Sequence, residues 1–454
     1  MCHGPLLKKI ITYSLPLIFT GLLQLLYNAA DIIVVGRFAS STALAVGSTS
    51  SLVNLTVNLF LGLSVGVSVA VAQHYGAKNY TEVSETIHTA FSLSLILGVI
   101  VGAFGFFASR TMLEWMDSPA EVLEQSTLYL RIFFLSIPAS MVYNFGASIL
   151  RAVGNTRQPL YYLSIAGVVN VILNLVLVIR FHLGVAGVAI ATVISQYISA
   201  GLIILCLMRT EGCLQFHPKQ LALKPDKVWA ILRIGLPAGL QSTVFSISNV
   251  LIQSSINSFG ALAMAGSAAA SNLEGFIYTA MNAISQAALA FVGQNVGGRQ
   301  YHRIHRITWI CLSVVFLVGV VMSAAFLAAD QFLLEIYLPD DPAAVEYGIQ
   351  RMFMVNTVYF FMGFIDVMVA SMRGMGSSFT PMVVVLCGAC GLRIVWIYTI
   401  FAANRTLEML YLSYPVSWIV TFLVELAFYF VVYRRLMARH KGETELQEAD
   451  LAQS

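Results

Sequence analysis

This sequence predicts an all-α polytopic membrane protein with twelve transmembrane helices in two pseudo-symmetric six-helix bundles, a parallel repeat. Three observations carry that reading. Only 10% of the 454 residues are charged while 58% are hydrophobic, whereas a soluble domain carries about 25% charged residues. Apolar runs of spanning length, about 20 residues or more, recur along the chain. Fragments of the first half return in the second at a nearly constant offset.

Lys8 and Lys9 run directly into an apolar segment with no small-residue cleavage site, which predicts an uncleaved first span. Spans are expected near residues 10–36, 44–72, 85–108, 124–150, 160–181 and 185–208, which make an N-terminal bundle over 1–208. Residues 209–227, with Glu211, His217, Pro218, Lys219, Pro225 and Asp226, read as a cytoplasmic linker. Six further spans near 228–257, 262–296, 305–328, 346–371, 380–402 and 408–433 make a C-terminal bundle over 228–435. Residues 436–454 form a charged tail expected to fray. Pro16, Pro138 and Pro237 lie where they can kink a span.

Orientation follows from the basic residues. With both termini cytoplasmic, Lys78, Arg151, Arg157, Arg299, Arg303, Arg306, Arg373, Arg434 and Arg435 fall on the inner side. The outer side is poorer in basic residues, with Arg37, Arg110, Arg131, Arg180, Arg351 and Arg405, and carries acidic loops such as Glu114 to Glu124 and Asp330 to Glu346.

The halves repeat. Leu15-Pro16 matches Leu236-Pro237 (237 − 16 = 221), and Gln73-His-Tyr-Gly76 matches Gln294-Asn-Val-Gly297 at the same offset. Leu150-Arg151-Ala-Val-Gly154 matches Met372-Arg373-Gly-Met-Gly376 (373 − 151 = 222). Six spans separate equivalent points, so the copies have the same orientation, a plan that transporters use.

Chemistry concentrates where the copies diverge. In the first span Thr20, Gln24, Tyr27, Asn28 and Asp31 fall on one helical stripe among Leu, Ile, Val and Ala. Asp31 lies six residues before Arg37, roughly 9 Å inside the helix end at 1.5 Å per residue. An ionisable residue there marks an ion or proton site, set against the blander reading of a polar residue satisfied by a neighbouring helix. Asn28 corresponds to Asn249, but Asp31 corresponds to Ile252, so one copy alone has the carboxylate. Asn170 and Asn174, at i and i+4, offer two amides on one face to complete an oxygen-rich site.

The C-terminal half places Glu274, Asp366, Arg393 and Glu425 within spans. Arg393 is expected to neutralise Asp366 or Glu425, leaving a negative interior that attracts cations. Glu274 and Asp366 read equally as transport groups or as members of a structural ion pair; Glu425, nearer the cytoplasmic end, reads as structural. Tyr278, with Tyr27, Tyr143, Tyr359 and Met281, is a candidate for lining an adaptable apolar cavity, although such residues are individually more often packing. Cys387-Gly-Ala-Cys390 has the form of a redox or metal pair but lacks a second ligand pair, and the histidines show no metal spacing. No basic, aromatic-interleaved patch points to nucleic acid, no P-loop to ATP, and no nucleophile–base constellation to an enzyme.

Several stretches together resemble the bacterial multidrug and toxic compound extrusion (MATE) family: Asp31-Ile-Ile-Val-Val-Gly36-Arg37, Gln73 to Ala77, Leu150 to Thr156, Gly187-Val-Ala-Ile-Ala191-Thr192, Asn272-Leu-Glu274-Gly275 and Gly293-Gln294-Asn295. The likeness runs to about Arg435. It implies two six-helix bundles, a central cleft open alternately to either side, and efflux of amphipathic organic cations in exchange for H⁺ or Na⁺, without a cofactor. It places Asp31 at the family's first-helix acidic position, with Tyr27 one turn before, and Asn170 and Thr192 at polar positions linked to the coupling cation. Asn174 stands where many relatives have an aspartate. Any metal is then Na⁺ at Asp31. Gln24, Asn28, Glu274, Asp366 and Tyr278 form the candidate substrate or second-ion set. The expected setting is the bacterial inner membrane, with a monomer in the lipid bilayer acting on small molecules. A lipid-linked or metabolite exporter of related architecture is the alternative.

Overall fold

A computed structural model describes the backbone of residues 1–38, 40–116, 120–339 and 341–453, and the side chains of those outside 27–48 and 441–453. The described chain is helical, with no strand. In a bilayer every backbone polar group must be satisfied within the segment, which the helix does and an open strand does not.

The helices are α1 (Leu6–Phe38), α2 (Ser40–Gly76), α3 (Tyr80–Trp115), α4 (Ala120–Phe134), α5 (Ile137–Ala152), α6 (Arg157–Asn174) and α7 (Gly184–Arg209) in the first half. The second half has α8 (Pro225–Asn257), α9 (Ala261–Gly297), α10 (Tyr301–Ala328), α11 (Asp330–Tyr337), α12 (Pro342–Asn356), α13 (Phe360–Gly374), α14 (Phe379–Val385), α15 (Leu392–Trp396) and α16 (Leu407–Gln453). Wider π turns at Leu175–Arg180, Leu386–Gly391 and Ile397–Phe401 extend α6, join α14 to α15 and follow α15.

Among the described residues ten helices are long and apolar enough to cross a membrane, and counting each of two bent pairs as one span gives twelve. The pairs are α4 with α5, bent by 45°, and α12 with α13, bent by 46°. Expected spans 124–150 and 346–371 are therefore broken. Pro138 stands at the start of α5, where a missing N–H costs nothing. The second bend has no proline; its turn closes on shorter-range bonds, Val358 N–H to Val355 C=O at 3.4 Å and Tyr359 N–H to Asn356 C=O at 3.3 Å.

The repeat reappears as paired turns. Lys78 and Arg299 (299 − 78 = 221) both take positive φ, 57° and 55°. Around them Asn79 N–H bonds His74 C=O and Gln300 N–H bonds Asn295 C=O. Gly154 and Gly376 (376 − 154 = 222) take φ of 101° and 87°, which a side chain there would strain.

Contacts group the chain into two compact units, Leu15–Gly239 and Met1–Ser14 with Leu240–Ser454. In the first, α5 packs against α3, α2 and α7, and the core holds Phe60, Phe91, Phe145, Ile87 and Leu130. Gly62 and Gly66 of α2 meet Gly235 and Gly239 of α8 so closely that a Cβ on Gly62 would overlap the Gly239 backbone, the small-residue packing that membrane helices favour. The stretch after α7 is docked on α3. Phe216 lies against Phe91 at 4.4 Å, His217 N–H donates to His88 Nε2 at 3.1 Å, and Lys227 pairs with Glu82 and Asp226. Cys213 sits in the first of its turns, where burial pushes the thiol up.

In the second unit α9 is central, packed on α13, α12 and α10. The N-terminal residues fasten here: Cys2 Sγ lies 3.4 Å from Gln294 C=O, Arg303 Nη2 donates to Gly4 C=O at 3.0 Å, and Tyr13 meets Phe291 edge-on. The helix α16 continues to Gln453 instead of ending near 435; Leu, Glu, Ala and Gln in that tail are good helix formers.

Candidate functional site

Tyr27, Asn28 and Asp31 lie outside the residues whose side chains are described. Gln24, one turn earlier on α1, is exposed. In the same unit the amides expected to act together do meet. Asn174 Nδ2 donates to Asn170 Oδ1 at 3.2 Å, and Asn170 Nδ2 reaches Ser195 Oγ at 3.4 Å. Ser195 in turn donates to Thr192 C=O at 2.9 Å, while the Thr192 hydroxyl bonds Val188 C=O at 3.1 Å. Asn170 is 8% exposed and Asn174 fully buried, so this is an interior polar cluster joining α6 to α7. Ser195 was not singled out from sequence; its place one turn after Ala191 on the inward face was the available signal.

Among the described residues the second unit holds most of the buried charge. Arg351 Nε and Nη2 donate to Glu274 Oε1 and Oε2 at 2.9 and 2.8 Å, a bidentate pair, and Arg351 Nη1 donates to Ser267 Oγ at 2.7 Å. The guanidinium also lies over the Tyr414 and Tyr411 rings at 5.5 and 5.8 Å. The sequence counted Arg351 with the basic residues of the outer side; α12 runs along α9 and packs its side chain into the protein interior at 4% exposure.

Arg393 is 1% exposed. It donates to Ser417 Oγ at 2.9 Å and reaches Asn249 Oδ1 at 3.4 Å. Tyr414, Trp418 and Phe245 present their rings at 4.5, 5.6 and 5.6 Å, and Nη2 has no hydrogen-bond partner. No ion pair joins Arg393 to Asp366 or Glu425 among the described residues, unlike the pairing expected from sequence. Aromatic faces and neutral oxygens surround it instead.

Asp366 faces Tyr278 and Asn282, with Arg373 acting on it electrostatically, and its Oδ2 has no hydrogen-bond partner. Asn282 Nδ2 lies 3.4 Å from the Tyr278 hydroxyl. Arg373 Nη2 donates to Gln241 Oε1 at 2.8 Å. Glu425 on α16 is 0% exposed, and neither carboxyl oxygen has a partner. Counting Arg351 and Arg373 with Arg393, the second unit sets three guanidinium groups against the three carboxyl groups Glu274, Asp366 and Glu425. The expected net negative interior is therefore not what these residues form.

These features define a two-lobed, all-helical membrane transporter fold. An outward-facing MATE family multidrug resistance transporter superposes with a TM-score of 0.90 at 20% identity, over 96% of this chain and 97% of that one. A MOP superfamily transporter from Pyrococcus furiosus, described with a binding pocket of reverse polarity, gives the same score and coverage. The MatE family model matches residues 16–176 and again 237–399, and the chain belongs to that family. Probable multidrug resistance proteins YoeA and YpnP of Bacillus subtilis are similar, at 24% identity (94% of each chain) and 28% (84% of this chain, 85% of the relative).

Proposed function

We propose that the protein is a secondary active antiporter of the bacterial inner membrane, with both termini cytoplasmic. It exports amphipathic organic cations in exchange for H⁺ or Na⁺ by alternating access of the 1–208 and 228–435 bundles. The observation that carries this is a pair of carboxyl groups inside spans, Asp366 with its Oδ2 and Glu425 with both oxygens left without a hydrogen-bond partner. A carboxylate in such a place gains most from binding and releasing a cation. Asp31, on its apolar first helix, is the candidate carboxylate of the other half, with Asn170, Asn174 and Thr192 as the polar positions proposed to complete its site. The names of the relatives, multidrug resistance and multidrug export proteins, support the substrate class.

The test is efflux of a fluorescent organic cation from proteoliposomes under separately imposed pH and Na⁺ gradients. Wild type responds to one gradient; Asp31→Asn abolishes that response, and Asp366→Asn weakens it. Full coupling in both variants overturns the assignment. A second reading, export of a lipid-linked or metabolite substrate bearing an anionic group, is favoured by Arg393, a buried guanidinium without a carboxylate partner. Transport of an anionic amphiphile but of no cation would select it.

A further inference from the structure

We propose that Glu425 is a proton-binding site of the transport cycle, with a hydrogen-bonded row of side chains that begins at His305 lying one helical turn away. This rests on the antiport reading and deepens it by naming an ion and a residue in the second unit.

Glu425 lies well inside the span Leu407–His440. Its side chain is shielded from solvent and both oxygens lack partners. A carboxylate so placed has lost its water without gaining donors, a costly state. Of the charged groups on the helices packed against α16, Arg373 from α13 is the one that acts on it. Arg373 forms no ion pair with it, since Nη2 is committed to Gln241 and the guanidinium is shared with Asp366. The Thr421 hydroxyl, one turn before, spends its hydrogen on Ser417 C=O at 2.6 Å and so gives Glu425 no donor. Among the described residues no group of three or more His, Cys, Asp or Glu side chains gathers to hold a metal ion. A proton needs no cavity and cancels the charge on the spot.

A row of proton-carrying side chains lies one turn away. Tyr429 follows Glu425 by four residues on α16, a spacing that puts Cβ atoms about 5–6 Å apart. The Tyr429 hydroxyl lies 3.1 Å from His305 Nδ1 and donates to Thr308 Oγ1 at 3.2 Å; Thr308 reaches Ser371 Oγ at 3.1 Å. His305 is half-buried, its ring 3.9 Å from that of Tyr433, with exposed His302 and Arg306 beside it. A proton leaving Glu425 leaves a second negative charge acting on Arg373. Arg373 is then divided between Glu425 and Asp366, which couples proton release to the Asp366, Tyr278 and Asn282 group.

Infrared difference spectroscopy of the full-length protein in lipid vesicles tests this directly. At neutral pH wild type is expected to show a carboxylic-acid C=O band that disappears on alkalinisation and changes when a transported cation is added. Glu425→Gln loses the band and the accumulation driven by a pH gradient. Glu425→Asp keeps a titrating band at shifted position, and Tyr429→Phe keeps the band but slows its exchange in D2O. A wild-type spectrum without such a band, or one that survives in Glu425→Gln, overturns the proposal. If the band titrates but no gradient drives efflux, the proton site stands and the antiport reading falls. If gradient-driven efflux persists without the band, antiport stands and Glu425 is excluded.

Discussion

At the residue scale the most constrained contact is the bidentate Arg351–Glu274 pair with its Ser267 bond. Removing one member of a buried pair leaves the other charge without compensation, which costs about 3–5 kcal/mol, whereas replacing both by neutral side chains of similar volume is often tolerated. Arg351→Leu should therefore lower the thermal unfolding temperature sharply in detergent, and Glu274→Gln combined with Arg351→Met should recover most of the loss. A double variant as unstable as Arg351→Leu would show that the ion pair does not hold α9 to α12. Glu274 itself was legible in the sequence because an acid stands out in an apolar run. Its partner was not, because Arg351 lies near the end of a span and joins the interior only through the course of α12.

At the element scale sequence composition located the helices well, and the limits of that legibility are physical. Apolar length marks a span, and Pro138 marks one bend. The bend after Asn356 carries no proline and depends on local packing. Close helix approach is a second such feature, written in glycine spacing: Gly62 and Gly66 on α2 face Gly235 and Gly239 on α8. Gly62→Ala forces a methyl group into backbone and should cost about 1–3 kcal/mol. Gly201→Ala on α7, where a Cβ meets open space, should be neutral or stabilising by about 0.5–1 kcal/mol. Chemical or thermal unfolding of both variants measures the contrast; equal behaviour would mean that the α2–α8 approach is not tight.

At the scale of the whole molecule the chain reads as one plan written twice. The offset found in short fragments recurs in the bent spans, in the π turns and in the two positions at which the family model begins, 16 and 237. Sequence did not show that Met1–Ser14 packs with Leu240–Ser454 while 209–239 packs with the first half, since such partnerships rest on long-range contacts that no local pattern encodes. Where the plan is shared, equivalent substitutions should have equivalent effects. Lys78 and Arg299 both hold a left-handed backbone conformation just after a long helix, an arrangement that Gly adopts without the Cβ penalty of roughly 1–2 kcal/mol, part of which its greater unfolded-state freedom offsets. Lys78→Gly and Arg299→Gly should each raise stability by up to about 1 kcal/mol, and their effects should add because each turn closes on its own local backbone bonds. Thermal unfolding of the two single variants and the double checks this, and a gain at one turn with a loss at the other would break the equivalence of the copies. The two cations lie at the same end of their copies, as a parallel repeat requires. Removing both charges therefore also tests whether that end faces the cytoplasm, since a tag on the C-terminus should become accessible from outside in part of the population if these residues anchor orientation.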